Sequence, residues 1–185
     1  MSIVGAKVIR KEDPNLLTGR GQYVDDIQLT GITHMAFVRS TEAHALIKGI
    51  DVSAALECEG VIGAWTAADL ELPPLPEVPG LERPTLATDK VRFVGEAVAV
   101  IVAENKYAAA DGTELVVVDY DPLEAVTNIE EATKDDAPLL FEELGSNTVA
   151  EVPSADDHQA VFDSAPHTET IKLINNRCTA APIET

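Results

Sequence analysis

The sequence from Asp89 to Asn105, DKVRFVGEAVAVIVAEN, constrains the fold of this chain most strongly. Polar and apolar residues alternate from Lys90 to Phe93, as in a half-buried strand. All seven residues from 97 to 103 are apolar, as in a strand covered on both faces. Gly95 separates the halves, and glycine within a strand pattern marks a bulge or a bend. The segment therefore predicts two strands, or one bent strand, with a central strand at 97–103.

Further strands and short helices are predicted on both sides of this segment. Strand patterns cover residues 33–40, 45–52 and 116–121, and the segment GVIGAWTAADL reads as a strand that runs into a helical turn. Ser53 and Thr66 are predicted N-caps of short helical turns. A helix follows Asn105, its predicted N-cap, and Gly112 is an interior weak point that costs about 1 kcal/mol relative to alanine. Strands interspersed with short helices indicate an α+β or α/β arrangement.

The composition excludes some classes of function. The net charge of −19 disfavours nucleic-acid backbones and anionic membrane surfaces. No run approaches the roughly 20 apolar residues that a membrane span needs. The first residues contain no signal-peptide pattern, and the two cysteines have no metal-binding spacing, so a cytoplasmic protein with reduced thiols is expected. A disulfide between Cys58 and Cys178 stays open.

The pattern along the chain predicts an extended lead-in over residues 1–30, a first domain over 31–126, an acidic linker over 127–160 and a new element over 161–185. Within the domain, residues 71–88 hold five prolines and predict a surface loop. Residues 119–163 contain 13 acidic residues and one lysine, which indicates a solvated surface. A strand is predicted at 168–177. Because a lone strand leaves its backbone groups unpaired, we expect oligomerisation or local disorder after about residue 130.

Few residues indicate chemistry. The glycines of TGRGQY lack the further glycine and the strand-to-helix context of a phosphate loop. His34 and His44 have no nucleophile or carboxylate at triad-like spacing, which favours surface or packing roles over a hydrolase site. Glu96 is the one carboxylate between the two apolar halves of the opening segment. It predicts either a structural role, in an ion pair with Arg92 or as a cap on backbone amides, or a place in a channel or subunit contact.

An ordered set of segments resembles one family. The segments are GRGQYVDDI, HMAFVRSTEAHALIKGIDVSAAL, GVIGAWTAADL, RPTLATDKVRFVGEAVAVIVAEN, AAADGTELVVVDYDPLEAV and NNRCTAAPIET. Together they resemble the N-terminal part of the molybdopterin-binding large subunit of the xanthine dehydrogenase family, which includes aldehyde oxidases and aerobic carbon monoxide dehydrogenases. The resemblance covers roughly residues 5–125 and 161–185. Some positions depart from the family pattern, among them Leu46, Gly112 and the endings NNR and IET, and they leave the substrate open.

The resemblance implies an α+β fold, with an α/β-hammerhead domain followed by the first strand of a molybdopterin-binding domain. It implies an oligomeric enzyme that uses molybdenum–molybdopterin, with iron–sulfur clusters and FAD on a small and a medium subunit or on equivalent domains. Family members are several hundred residues longer, so the resemblance implies a fragment, a truncated reading frame or a split subunit. The family's catalytic glutamate and pterin-binding loops lie downstream of the matched region.

The resemblance therefore transfers no catalytic, cofactor-binding or metal-ligating residue to this chain. Five positions are instead candidates for structural or interface roles: Arg92, Gly95, Glu96, Arg177 and Glu184. The first hypothesis is a structural portion of a molybdenum hydroxylase large subunit, inactive by itself. The alternative is a free-standing, non-catalytic hammerhead module for subunit interaction.

Overall fold

A computed structural model describes residues 4–5, 9–72, 84–150, 158–176 and 178. The chain divides into two compact units, Ile32–Asp156 and a unit formed by Met1–Gly31 with Asp157–Thr185. Four of the five prolines predicted in the surface loop, at positions 73, 74, 76 and 79, lie outside the described residues, as do Arg177 and Glu184.

The unit Ile32–Asp156 contains two three-stranded sheets in its described part. Its strands are β1 His34–Arg39, β2 Ala45–Asp51, β3 Val61–Thr66, β4 Lys90–Val91, β5 Ala97–Ala103 and β6 Val117–Pro122. Its helices are α2 Ser53–Leu56, α3 Lys106–Glu114 and α4 Ile129–Ala132, with 3-10 turns at Ala67–Asp69 and Glu142–Leu144. The other unit contains α1 Asp13–Leu17, a 3-10 turn at Val24–Asp26 and α5 Gln159–Ser164.

The first sheet has the order β1–β5–β3, with both neighbours antiparallel to β5. Val100 and Ile101 are neighbours in the regularly paired part of β5, so they point to opposite faces, and both are buried. Burying each such side chain contributes about 1.5–3 kcal/mol relative to leaving it exposed. The prediction of a central strand at 97–103, covered on both faces, is confirmed.

The second sheet has the order β4–β2–β6, again with antiparallel pairs. Its edge strand β4 contains only Lys90 and Val91, and both residues are buried. The predicted half-buried strand from Lys90 to Phe93 is therefore wrong after Val91, because the chain turns away there and leaves Phe93 exposed.

The turn between β4 and β5 carries the chain from the second sheet to the first. Gly95 has φ +90°, a conformation that favours glycine. Its amide donates to the carbonyl of Ser40 at 2.8 Å, and the Ser40 amide donates to the Glu96 carbonyl at 2.8 Å. The bend predicted at Gly95 is confirmed, and these two hydrogen bonds hold it against the end of β1.

The helix α3 begins as predicted at Asn105, whose side chain accepts hydrogen bonds from the amides of Tyr107 and Ala108. Gly112 is buried against the first sheet. A Cβ atom there would lie 2.9 Å from Ile101 Cγ2 and 3.0 Å from Val61 Cγ2. At Gly112 the helix α3 therefore approaches the sheet closely. The sequence predicted only a cost in helix propensity at this position and did not predict this packing role.

The two predicted caps of the shorter turns have different outcomes. Thr66 occupies the N-cap position of the turn Ala67–Asp69, and its amide and hydroxyl both donate to Asp69 Oδ2. Ser53 is not an N-cap, because α2 already begins at Ser53 and Val52 precedes it. Ser53 instead donates to Asp51 Oδ1 from its amide and its hydroxyl.

The predicted strand at 168–177 is absent from the described residues 168–176, which are irregular. The apolar residues of its alternating pattern, Ile171 and Leu173, are 75% and 79% exposed. A strand needs a neighbour to satisfy its backbone groups, and none of the described strands pairs with this segment. Alternation in the sequence was thus not sufficient to form the strand.

The contact at Gly112 gives a stability prediction. Gly112→Ala gains about 1 kcal/mol of helix propensity, but the added methyl overpacks two β-branched side chains, at a cost of about 1–3 kcal/mol. We expect a net loss of about 1 kcal/mol in the free energy of unfolding, measured by urea denaturation. Adding Val61→Ala removes one of the clashing methyls and should reduce the cost of the alanine at 112. A Gly112→Ala protein more stable than the parent would contradict this packing.

Candidate functional site

Glu96 follows the Gly95 turn and is the carboxylate that the sequence singled out. Its side chain is nearly buried, and Oε2 accepts a hydrogen bond from the Arg92 amide at 2.5 Å. The carboxylate thus links the two ends of the turn, residue 92 and residue 96, by a hydrogen bond. A buried carboxylate that accepts a backbone hydrogen bond needs no catalytic role to account for its position.

The Arg92 side chain does not form the predicted ion pair with Glu96. Its Nε donates to the carbonyl of Leu140 at 2.8 Å, and its guanidinium lies 4.8 Å from the centroid of the Phe141 ring. Arg92 therefore binds the acidic segment after residue 127 through a hydrogen bond and a cation–π contact.

Lys90 binds the same segment. The lysine is only 8% exposed, and its ammonium is paired with the Glu142 carboxylate. The hydrogen bond from Lys90 is the main reason that the pKa of Glu142 lies below its ordinary value. A backbone hydrogen bond and the charges of Lys90 and Arg92 act in the same direction. Burial of the lysine is tolerated because Glu142 supplies the opposite charge.

Asn147 holds the acidic segment in a compact form. Its side-chain oxygen accepts from the Leu140 amide at 3.1 Å, and its nitrogen donates to the carbonyls of Ala132 and Pro138. We call residues 128–147 the acidic strap, because they contact Lys90 of β4 and Arg92, which follows β4. The strap is thus held by specific hydrogen bonds, and oligomerisation or local disorder after about residue 130 stays a prediction.

The histidines form no catalytic arrangement in the described part of the chain. His44 is 5% exposed, and its Nδ1 lies 2.7 Å from the Glu124 carbonyl oxygen. Its Nε2 is buried without a hydrogen-bond partner. His34 is half-buried at the start of β1. This geometry places His44 in the packing between β2 and the chain after β6, and gives it neither a nucleophile nor a carboxylate.

Metal and cofactor chemistry requires clustered ligands. Over the described ranges, three or more His, Cys, Asp or Glu side chains nowhere come together in a group that could hold a metal ion. Cys58 and Cys178 are both free. We derive no catalytic step from the described residues. In this same part of the chain, no helix is long and apolar enough to cross a membrane.

Comparison with known proteins supplies the family. Residues 18–124, more than half of the chain, match the family model described as aldehyde oxidase and xanthine dehydrogenase, a/b hammerhead domain. The chain belongs to this family. The α+β fold and the hammerhead domain that the sequence resemblance implied are thereby confirmed.

The curated relatives are large chains of oxidoreductases. The chain is 39% identical to the nicotine 6-hydroxylase large subunit of Paenarthrobacter nicotinovorans, over 100% of this chain and 24% of that protein. It is 41% identical to the carbon monoxide dehydrogenase large chain of Afipia carboxidovorans, over 86% of this chain and 20% of that protein. The chain thus spans about a quarter or less of the length of these relatives.

A solved structure agrees with the sequence relatives. Quinoline 2-oxidoreductase from Pseudomonas putida 86 has a TM-score of 0.75 and 38% identity, and the match covers 88% of this chain and 22% of that chain. A carbon monoxide dehydrogenase described as a Cu,Mo enzyme has a TM-score of 0.73 and the same identity. The match again covers 88% of this chain, with 23% of the other.

Sequence reasoning found the turn at Gly95 and Glu96 but missed the strap contacts. Lys90 and Glu142 are 52 positions apart, and neither stands in a motif. The sequence contained two weak signals of this contact. One is a lysine beside Val91 in a buried two-residue strand, and the other is an acidic run that contains the apolar residues Leu139–Phe141. A buried lysine requires a negatively charged partner, and the acidic run contains many carboxylates that could supply one.

The strap pair gives a pH-dependent prediction. Because the folded pKa of Glu142 is lowered, its contribution to stability is present above its ordinary pKa and is lost as pH falls through the folded value. Glu142→Gln should therefore lower the free energy of unfolding by about 1 kcal/mol at neutral pH, since the carboxylate is partly exposed. The difference from the parent should vanish in acid.

Urea titrations at a series of pH values measure this difference. Glu143→Gln is the matched control, because Glu143 is an exposed neighbour, whereas the ion pair of Lys90 is with Glu142. Equal effects of the two substitutions at neutral pH would contradict the assigned role of Glu142.

Proposed function

We propose that this chain forms the hammerhead portion of the large subunit of a molybdenum hydroxylase or dehydrogenase. The complete enzyme would oxidise an aldehyde, an N-heterocycle or carbon monoxide. The portion described here is structural: it supports the catalytic region and presents surface to other subunits. The observation that carries the proposal is the match of residues 18–124 to the hammerhead model, within a chain aligned over its whole length to a large subunit.

The cofactors and partners of the complete enzyme follow from the family. Its members use molybdopterin, iron–sulfur clusters and FAD, and the relatives named above are large chains of multi-subunit enzymes. We propose that the iron–sulfur clusters and FAD reside on a small and a medium subunit or on equivalent domains, and that the assembly is cytoplasmic. This segment binds none of these cofactors. The domain limits at residues 31, 127 and 161 are part of the same proposal.

The donor chemistry of the described residues supports a non-catalytic role. Glu96 is bonded to a backbone amide, Lys90 is paired with Glu142, and His44 is held against a carbonyl oxygen. These three polar groups thus make hydrogen bonds or ion pairs within the fold, and we assign no catalytic residue to this chain. Arg92, Gly95 and Glu96 are structural positions, and Arg177 and Glu184 remain candidates for an interface.

A free-standing hammerhead module is the second candidate function. The unit Ile32–Asp156 contains both sheets and the acidic strap. Lys90 and Arg92 tie the strap to the β4 end of this unit, and the buried cluster around β5 lies within the same unit, which a module would need. The two candidates differ in the size of the polypeptide that carries this unit in the cell.

An antibody raised against residues 32–156 tests both candidates in the source organism. Immunoprecipitates are analysed for polypeptide mass by immunoblot and for molybdenum and iron by mass spectrometry. The purified 185-residue chain is analysed in parallel. We expect molybdenum and iron in the native immunoprecipitate and substoichiometric molybdenum in the purified chain.

Each outcome has a definite meaning. Native protein that contains neither molybdenum nor associated iron, on a polypeptide near 19.7 kDa, would contradict the enzyme and support the module. Stoichiometric molybdenum in the purified 185-residue chain would contradict the non-catalytic role assigned to this segment.

A further inference from the structure

The acidic strap is bonded to the rest of its unit through side chains rather than through a backbone ladder. Within the described part of the chain, each backbone–backbone hydrogen bond of residues 128–147 joins two residues of the strap itself. No strap residue is buried, and none belongs to the apolar clusters around β5 and α3. Separation of the strap from β4 would therefore leave these apolar clusters intact.

Two cations attach the strap. Lys90 pairs with Glu142, while Arg92 donates to the Leu140 carbonyl and lies over the Phe141 ring. The three strap residues are consecutive in the sequence, and the two cations are two positions apart. Contacts between such short, continuous segments form and break together, because neither segment can move at one residue without moving at the next. The attachment is therefore a single local unit.

The two sides of the ion pair differ in exposure. The Lys90 side chain is 10% exposed, whereas the Glu142 side chain is 55% exposed. Water reaches the carboxylate, so the pair stabilises the closed strap only modestly. The ammonium, in contrast, is costly to leave buried without its partner. Loss of the pair therefore favours a state in which the strap moves away and Lys90 reaches water.

The strap also has hydrogen bonds that hold it together by itself. The Asn147 side chain accepts from the Leu140 amide and donates to the carbonyls of Ala132 and Pro138. All four residues belong to the strap, so these bonds do not depend on its attachment to β4. A segment with bonds of its own, no share in the core and a polar attachment is the kind of segment that opens locally at a free energy below that of global unfolding.

We propose that the acidic strap is a latch, which opens from β4 while both sheets stay folded and so exposes Lys90 and Arg92. All of its contacts named above lie within the unit Ile32–Asp156, so the inference goes beyond the proposed function and does not depend on it. The closed strap covers two cations with acidic chain, and the open strap presents both to solvent. The latch thus controls whether this positive site on a chain of charge −19 is accessible.

Acylation of lysine measures the opening directly. The 185-residue chain is treated with a low concentration of N-hydroxysuccinimidyl acetate, and the modification of each lysine is followed by peptide mapping and mass spectrometry. Lys48, whose side chain is 50% exposed, is the internal control. We expect Lys90 to react about tenfold or more slowly than Lys48. Its opening constant should nevertheless exceed that of the β5 amides in hydrogen exchange about a hundredfold or more.

Two substitutions in the strap test the latch. Glu142→Gln should speed the acylation of Lys90 about fivefold, because it removes the charge that holds the lysine. Phe141→Leu should speed it about two- to fivefold, although the ring contact of Phe141 is with Arg92, because the two contacts open together. Glu143→Gln is the matched control and should react like the parent. Unchanged acylation of Lys48 and unchanged exchange of the β5 amides check that each variant retains the fold.

Each contrary outcome overturns the inference. Acylation of Lys90 as fast as that of Lys48 would show that the strap does not cover the lysine. Acylation with the opening constant and the urea dependence of the β5 amides would show that only global unfolding exposes it. The same rate in the parent, Glu142→Gln and Phe141→Leu would contradict the latch contacts. A faster rate in Glu142→Gln alone would contradict their joint opening.

Discussion

The antiparallel pairing of β5 with β1 on one side and β3 on the other is the constraint on which the rest of the structure depends. The seven apolar residues of β5 leave neither face of the strand suited to water, so both faces must be covered. One face receives α3, which approaches closely because Gly112 has no side chain. The start of β5 is fixed by the Gly95 turn, which joins the two sheets. Strand order, helix position and turn geometry thus follow from one buried strand.

The turn and the acidic strap extend this core by polar interactions. Glu96 is used to close the turn, and Arg92 is thereby oriented toward Leu140 and Phe141. Lys90, buried in β4, is compensated by Glu142. The acidic run is therefore not merely a solvated surface, because part of its charge neutralises a cation that the hammerhead buries. The strap is thus joined to β4 and to the residue after it by side-chain contacts.

Local sequence signals predicted the features that depend on local physics. The apolar run of β5, the bend at Gly95 and the Asn105 cap each depend on residues within one turn or one strand, and each was predicted correctly. The contacts of Lys90 with Glu142 and of Arg92 with Leu140 join positions about 50 residues apart, and no local pattern contains them. The strand predicted near the end of the chain failed for a related reason. Its alternating side chains suit a strand, but the backbone of a strand also needs a neighbouring strand for its hydrogen bonds.

Native-state hydrogen exchange of the 185-residue chain tests the central role of β5 most directly. If β5 organises the fold, its amides exchange only by global unfolding, more slowly than those of the acidic strap and much more slowly than those of residues 168–176. At low concentrations of urea, the free energies of opening of the β5 amides should fall with one common slope. The amides of β1 and β3 that are bonded to β5 should follow the same slope. Exchange of the β5 amides as fast as those of the strap would contradict the account.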